Sequence, residues 1–262
     1  MDEEVLHGGV ANAGAVVRVG DHVLRPSNPH SVAIHGALRA LRDVGFRGAS
    51  KPVGIDPDGR ERLEFVAGDV AITPFPEWVQ VDDALSSVAL LIKGFHDAST
   101  QIDLTGGTWS DEMADPRGGP VLCHNDVCLE NVVFRDGRAV ALLDFDFAAP
   151  GRRVFDLASF ARMCVPIDDD INATKNGWAS NDQPARLRLV ADVYDLGPDD
   201  RSELLSILDR SIERGGEFVR RRVEAGDPGF VKMWEEMGGA ERFDRRRRWW
   251  AAEKVHFEQS MS

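Results

Sequence analysis

An α+β chain is predicted from three observations. Up to residue 68, short apolar runs alternate with one helical segment. Asp136-Gly137, between two further apolar runs, marks a hairpin in the middle of the chain. Beyond residue 82, most segments repeat their apolar positions at helical spacing. Together these predict a small N-terminal α/β lobe over residues 1–68 and a larger, mainly helical lobe over residues 69–262.

In chain order, apolar runs at residues 15–19 and 22–25 flank Gly20-Asp21 and predict a tight hairpin. Gly8, Gly9 and Gly14 precede it, forming either a glycine-bearing turn or a flexible leader into the first strand. Ile34, Ala37, Leu38 and Leu41 repeat at helical spacing, predicting a helix over residues 30–44 that Gly45 stops. Residues 50–55 and 62–66 read as strands around Asp56-Pro57-Asp58-Gly59, and Gly68 reads as a hinge.

After a proline-bearing connection, a helix is expected from Asp82, with Leu85, Val88, Ile92 and Phe95 as its apolar face. His96 falls at its end and reads as a structural histidine, while residues 101–119 read as loop. Residues 172–184 also read as a loop and candidate lid, and the chain from Pro184 as helical. A long helix is predicted over residues 199–225, burying Leu204, Leu205, Leu208, Ile212 and Val219. Arg245 to Arg248 are expected to pack against acidic helices, with Trp249 and Trp250 in the core.

Composition narrows the function classes. The chain has 262 residues, 43% of them hydrophobic, which is enough for a real core. No stretch of 18 apolar residues is present, so no membrane partner is expected. The acidic start lacks a signal-peptide pattern and the three cysteines make an odd number; both predict reduced thiols and a cytoplasmic protein. The net charge of −13 is concentrated: residues 69–200 carry 10 basic and 23 acidic groups, while both flanks are near neutral. That balance disfavours nucleic acid and suits either a cationic partner or simple solubility.

The central stretch carries the chemistry. Val121-Leu122-Cys123 is apolar, then His124, Asn125 and Asp126 follow, with Asn131 five residues after Asp126. If Asp136 and Gly137 are the loop residues, Arg135 faces Arg138 and Asn131 falls opposite Leu142. Asp144 then lies two residues further on the same face, a diagonal neighbour at roughly 7–8 Å. A carboxylate and an amide oxygen reaching into that gap suit one Mg²⁺, whose ligand distances are about 2.0–2.1 Å. Asp126, on the loop beside them, suits an acid that takes the proton of an acceptor hydroxyl.

His124-Asn125-Asp126-Val127-Cys128-Leu129-Glu130-Asn131 has the form H-x-D-x-x-x-x-N, with Leu143-Asp144-Phe145-Asp146 and Phe155-Asp156-Leu157-Ala158 after it. These motifs resemble the aminoglycoside phosphotransferase family, small-molecule kinases of protein-kinase-like bilobal fold. The resemblance implies ATP or GTP and Mg²⁺ as cofactors and a hydroxyl-bearing small molecule, such as an aminoglycoside-like antibiotic, as acceptor. It implies catalysis by Asp126 with His124 bracing the loop, Mg²⁺ on Asn131 and Asp144, and a supporting role for Asp156. It places the backbone of Glu64, Phe65 and Val66 against the adenine.

The chain departs from the wider kinase pattern at one point. A strand Lys paired with a helix Glu ordinarily holds the phosphates. Here the candidate cation is Arg25, and the following helix has no Glu, only His35 in its middle. This leaves a second reading open, a non-catalytic binding or immunity-type protein on the same scaffold. Asp168, Asp169 and Asp170 are either substrate contacts or a solvated helix cap.

Overall fold

In a computed structural model of the protein, residues 3–6 and 14–262 are described. Gly8 and Gly9 lie outside them. Five antiparallel strands form the first sheet: β1 (Glu4–Val5), β2 (Val17–Val19), β3 (His22–Pro26), β4 (Pro52–Ile55) and β5 (Arg60–Glu64), in the order β1-β2-β3-β5-β4. Gly20 and Asp21 make the β2–β3 turn as expected, with Val19 paired to His22. Helix α1 (Ser31–Asp43) follows β3 and buries Ile34, Ala37, Leu38 and Leu41, the four positions its periodicity marks. Strand β5 starts two residues earlier than expected because Ile55 pairs with Glu61 across the turn. Glu64 is therefore its last residue, and Phe65 and Val66 lie beyond it.

From there the chain crosses to a second sheet. Gly68 has φ +151°, and a Cβ there would lie 2.4 Å from the Phe134 carbonyl oxygen, so only glycine fits the crossing. Strand β6 (Asp69–Val70) then pairs with β8 (Val132–Arg135), which pairs with β9 (Arg138–Leu142). Helix α2 (Asp82–Ser99) lies under this sheet, its Leu85, Val88, Ile92 and Phe95 buried as the pattern requires. Strand β7 (Val121–Cys123) pairs with β10 (Ala149–Gly151), bringing the two ends of the motif-bearing stretch together.

The remaining elements are helical: α3 (Arg153–Cys164), α4 (Asp170–Lys175), α5 (Gln183–Tyr194), α6 (Pro198–Glu224), α7 (Pro228–Met237) and α8 (Gly239–Met261). Helix α3 packs on α6, and α8 packs on α5 and α6. Trp250 is buried against Phe257 and donates its indole N–H to Asp209 at 2.8 Å, while Trp249 is half-buried. No helix among the described residues is long and apolar enough to cross a membrane.

The stretch expected to be a lid is not a free loop. Residues 170–175 are helical, and the chain after them is tied to residues 75–80. Gln80 donates to the carbonyls of Phe75 and Gly177, both at 2.8 Å, and accepts from the Ala179 N–H at 2.8 Å. The rings of Phe75 and Trp178 meet at 5.4 Å. Gly177 takes φ +83° with the Phe75 backbone 2.7 Å from where a Cβ would sit.

Two of the three acids in the run are buried and paired. Asp168 is buried and takes Arg246 through two hydrogen bonds, with Arg242 at 3.4 Å. Asp169 caps α4 through the Ile171 and Asn172 N–H groups and pairs with Arg245 at 2.8 Å. Asp170 alone is exposed, in the first turn of α4. The arginine run thus reaches acids 76 to 78 residues away in sequence, which local charge counting does not reveal.

Burial pushes the Asp168 carboxyl up, but the Arg246 hydrogen bonds and charge outweigh it and hold it below the ordinary range. A depressed carboxyl stabilises the fold above its unfolded value of about 3.9 and loses that contribution as pH falls further. Asp168→Asn leaves two buried guanidinium groups short of a counter-charge, which is expected to cost about 3–5 kcal/mol. Urea midpoints at pH 7 should show the loss, and the gap to the parent should narrow below about pH 4.

Candidate active site

The site is built around an acid that points at the backbone. Asp156, in the first turn of α3, is fully buried. Its Oδ2 accepts the His124 N–H at 2.8 Å and its Oδ1 the Asn125 N–H at 2.7 Å. His96 Nε2 lies 2.9 Å from the same carboxylate, and its Nδ1 lies 2.6 Å from the Tyr194 hydroxyl. Burial favours the neutral acid, but the His96 hydrogen bond and charge outweigh it and keep the Asp156 carboxyl below its ordinary value. His96, Asp156 and Cys123 cluster within 4.8 Å, yet the two polar members spend their lone pairs and protons on these hydrogen bonds, so the group reads as a brace.

Holding two successive N–H groups on one carboxylate bends the chain after β7. Asn125 takes φ +65°, a left-handed conformation that asparagine tolerates better than most residues. Its amide donates to the Phe147 carbonyl at 2.8 Å and its own carbonyl accepts from Ser159 at 2.9 Å. His124 lies 2.8 Å by Nε2 from the Leu143 carbonyl, which only accepts, so Nε2 carries the proton. Its Nδ1 accepts from the Asp126 N–H at 3.3 Å. Burial lowers the affinity of His124 for a second proton, in keeping with this tautomer.

Asp126 follows on the same loop. Asn131 donates through Nδ2 to the Asp126 carbonyl at 2.9 Å and to its carboxylate at 3.2 Å. Burial, reinforced by the charge of Asp144, raises the Asp126 carboxyl to about 7; Arg162 and Asn131 oppose the rise. Glu130, one residue before Asn131, accepts from the Thr73 hydroxyl at 3.0 Å and ties the loop to the connection after β6.

The hairpin turn is where the sequence puts it, but its register is not. Arg135 pairs with Arg138, and Asp136 and Gly137 both have positive φ. A bulge then removes Val140 from the ladder: Phe134 pairs with Ala139, Val133 with Ala141 and Val132 with Leu142. Asn131 is level with Leu143, whose N–H donates to its carbonyl at 2.8 Å, and not with Leu142 as counting back implies. Asp144 leaves the strand with φ +59°. Asn131 is hydrogen-bonded to Asp126, and Asp144 follows the residue bonded to the Asn131 carbonyl, so the three lie at one end of the hairpin.

Arg25 enters this cluster from β3. It is 7% exposed. Its Nη1 donates to Asp144 Oδ1 at 3.0 Å, its Nη2 pairs with Asp146, and its Nε lies 3.2 Å from Glu61. Asn28 donates its amide to Asp146 Oδ1 at 2.9 Å. Burial alone lowers the pKa of a guanidinium, but here Asp144, Asp146 and Glu61 together raise it. The missing helix Glu is replaced by Glu61 on β5, directly opposite Arg25 in the ladder. His35 lies 3.6 Å from Glu61, and burial keeps its pKa low, so it adds no opposing charge.

Glu61, Asp146 and Asn28 are the site residues that sequence reasoning missed. Glu61 was legible in principle, since pairing β3 with β5 puts it across from Arg25. The other expected residues divide. Glu64 pairs with Lys51, and Phe65 lies under the Arg18 guanidinium at 3.8 Å while its N–H donates to Asp21 at 2.8 Å. With Val66 they form the exit from the first sheet. Asp168 and Asp169 are paired with α8, Asp170 is exposed on α4, and none of the three pairs with Arg25.

The cluster suits a divalent cation. Asp126, Asp144, Asp146 and Glu61 outnumber Arg25, and crowding by Asp144 raises both Asp126 and Asp146 after burial has done so. The Asn131 nitrogen is spent on Asp126, which leaves its amide oxygen as the branch for a metal. Carboxylate and amide oxygens are the donors that Mg²⁺ takes.

Known proteins share a family pattern and a fold with this chain. Residues 33–190 match the model of the phosphotransferase enzyme family. The trifolitoxin immunity protein of Rhizobium leguminosarum bv. trifolii is 31% identical over 201 residues, covering 74% of this chain and 75% of that protein. Among solved structures, an amicoumacin kinase in complex with AMP-PNP and Ca²⁺ superposes with a TM-score of 0.65 at 12% identity, covering 90% of this chain and 89% of that one. The GDP complex of aminoglycoside 2'-phosphotransferase-IIIa gives 0.60 at 14% identity, covering 95% and 93%. A choline/ethanolamine kinase family protein from Mesorhizobium loti gives 0.58 at 15% identity, with the same coverage. The small antiparallel sheet followed by a mainly helical remainder is the protein-kinase-like fold of these neighbours, and the chain belongs to the phosphotransferase enzyme family.

Proposed function

We propose that the protein transfers the γ-phosphoryl group of ATP, or of GTP, to a hydroxyl of a small molecule with Mg²⁺. The observation that supports this most directly is the meeting of Asp126, Asn131 and Asp144 at one end of the hairpin, with Arg25 aimed at them. In this reading residues 1–68 are the nucleotide lobe and residues 69–262 the catalytic and acceptor lobe. Asp126 orients the acceptor hydroxyl and takes its proton; a carboxyl raised toward neutrality is a better base than an ordinary one. Asn131 and Asp144 hold the metal, which when bound offsets the charge of the phosphates. His124 and Asp156 keep the loop in place, Arg25 grips phosphate, and the backbone of Glu64 to Val66 meets the adenine.

The acceptor in this reading is cationic, because residues 69–200 carry the excess of acids. Asp168 and Asp169, already neutralised by α8, do not take part in its recognition. A second reading has one specific observation in its favour: the curated relative at 31% identity is an immunity protein. On that reading the same scaffold protects by sequestering a toxic compound, without phosphoryl transfer.

Thermal shift separates the two. Phosphotransfer predicts that ATP raises the melting temperature, that Mg²⁺ deepens the shift, and that Asp144→Ala removes the Mg²⁺-dependent part. No response to ATP or GTP at any Mg²⁺ concentration would leave the sequestering reading. Asp126→Asn should keep the nucleotide shift while lowering turnover by about 10²–10⁴-fold. Affinity for a cationic aminocyclitol acceptor should fall steeply between low and high salt, since exposed charges act over roughly 8 Å at physiological ionic strength. A salt-independent affinity would rule out long-range attraction.

A further inference from the structure

We propose that Arg25 is a built-in competitor of the metal ion, so that Asp144 accepts a divalent cation only after nucleotide phosphates have drawn Arg25 away. This rests on the assignment of Asp144 as a metal ligand. The guanidinium sits on both Asp144 and Asp146, where a cation shared by these carboxylates would otherwise lie. It is buried, backed by Glu61 at 3.2 Å, and the Asn28 amide holds Asp146 from the same lobe at 2.9 Å.

Access is not what protects Asp144. Its side chain is 32% exposed, so a hydrated ion can reach it. What opposes the ion is a positive charge already in contact with the carboxylate. Arg25 does not leave by losing its proton, since its burial is outweighed by Asp144, Asp146 and Glu61, which raise its pKa above the ordinary arginine value. It leaves for a stronger anion, and a triphosphate offers the bidentate geometry that a guanidinium prefers. Once Arg25 has turned to phosphate, Asp144 is left with excess negative charge and the metal follows.

The sequence therefore carries an ordering device. A strand Lys offers one compact charge, whereas Arg25 spans two carboxylates and a third behind them. If the state with Arg25 displaced is populated at roughly 0.1–10% in the free protein, metal binding alone is weakened by about 10- to 1,000-fold. The nucleotide removes that penalty by engaging the guanidinium itself.

Mn²⁺ binding measured by electron paramagnetic resonance, with no nucleotide and no turnover, tests this. Arg25→Met should bind Mn²⁺ about 10- to 1,000-fold more tightly than the parent protein, and adding Asp144→Asn should abolish the gain. Removing a buried cation leaves Glu61 unpaired, so Arg25→Met with Glu61→Gln provides a second, charge-balanced background in which the same gain is expected. Equal Mn²⁺ affinity in parent and variants would overturn the proposal while leaving phosphotransfer standing, as would a gain insensitive to Asp144→Asn. If no protein binds Mn²⁺ through Asp144 even with a non-hydrolysable ATP analogue, the metal assignment falls and this inference with it.

Discussion

The arrangement of the site depends on one buried carboxylate. Asp156 accepts two consecutive backbone N–H groups and faces His96, so it fixes where β7 ends and in what direction the next residues leave. Each bond to an ionised acceptor is worth about 1.5–3 kcal/mol. The larger effect is geometric, because both N–H groups flank the left-handed turn at Asn125, which Phe147 and Ser159 also hold by hydrogen bonds. From that turn follow the orientation of Asp126, the hydrogen bond of Asn131 to it, and the reach of His124 to the Leu143 carbonyl, one residue before Asp144. Asp156 thus acts on the proposed base only through the backbone of the two residues before it.

Much of this was legible in the sequence wherever the signal was local. The α1 face, the start of α2, the bounds of α6 within a residue, and the turn at Asp136-Gly137 follow from periodicity and turn chemistry. Reading failed where the decisive partner was remote. The bulge at Val140 leaves no local trace, because an alternating apolar run looks the same with one residue in or out of the ladder. The counter-ion of Arg25 is set by pairing two strands that are not consecutive, and the partners of Asp168 lie on the last helix. Residues 172–184 look like a loop by composition, yet Gln80 supplies the hydrogen bonds that their own sequence lacks.

Charge in this molecule is handled twice by the same means. The acids before α4 and the acids after β9 are each answered by arginines from another part of the chain. In the first case the balance is structural: buried guanidinium and carboxylate groups meet in fixed pairs and α8 is fastened to α4. In the second, carboxylates still exceed cations, and burial, reinforced by the charge of Asp144, raises Asp126 and Asp146. The first cluster is neutralised within the chain, whereas the second keeps an excess of acids.

The bulge at Val140 has a consequence for how this hairpin tolerates change. It divides the two strands into a distal half, Phe134 and Arg135 with Arg138 and Ala139, and a proximal half that ends at Asn131 and Leu143. Side chains alternate strictly within each half, and the extra residue offsets one half from the other. A single residue lost at the bulge would leave Val133 paired with Ala141 in a regular ladder, so the pairing beyond it survives while the local bend and added twist are lost. The valine outside the ladder thus sets the bend of the hairpin and leaves intact the pairing that brings Asn131 level with Leu143, one residue before Asp144.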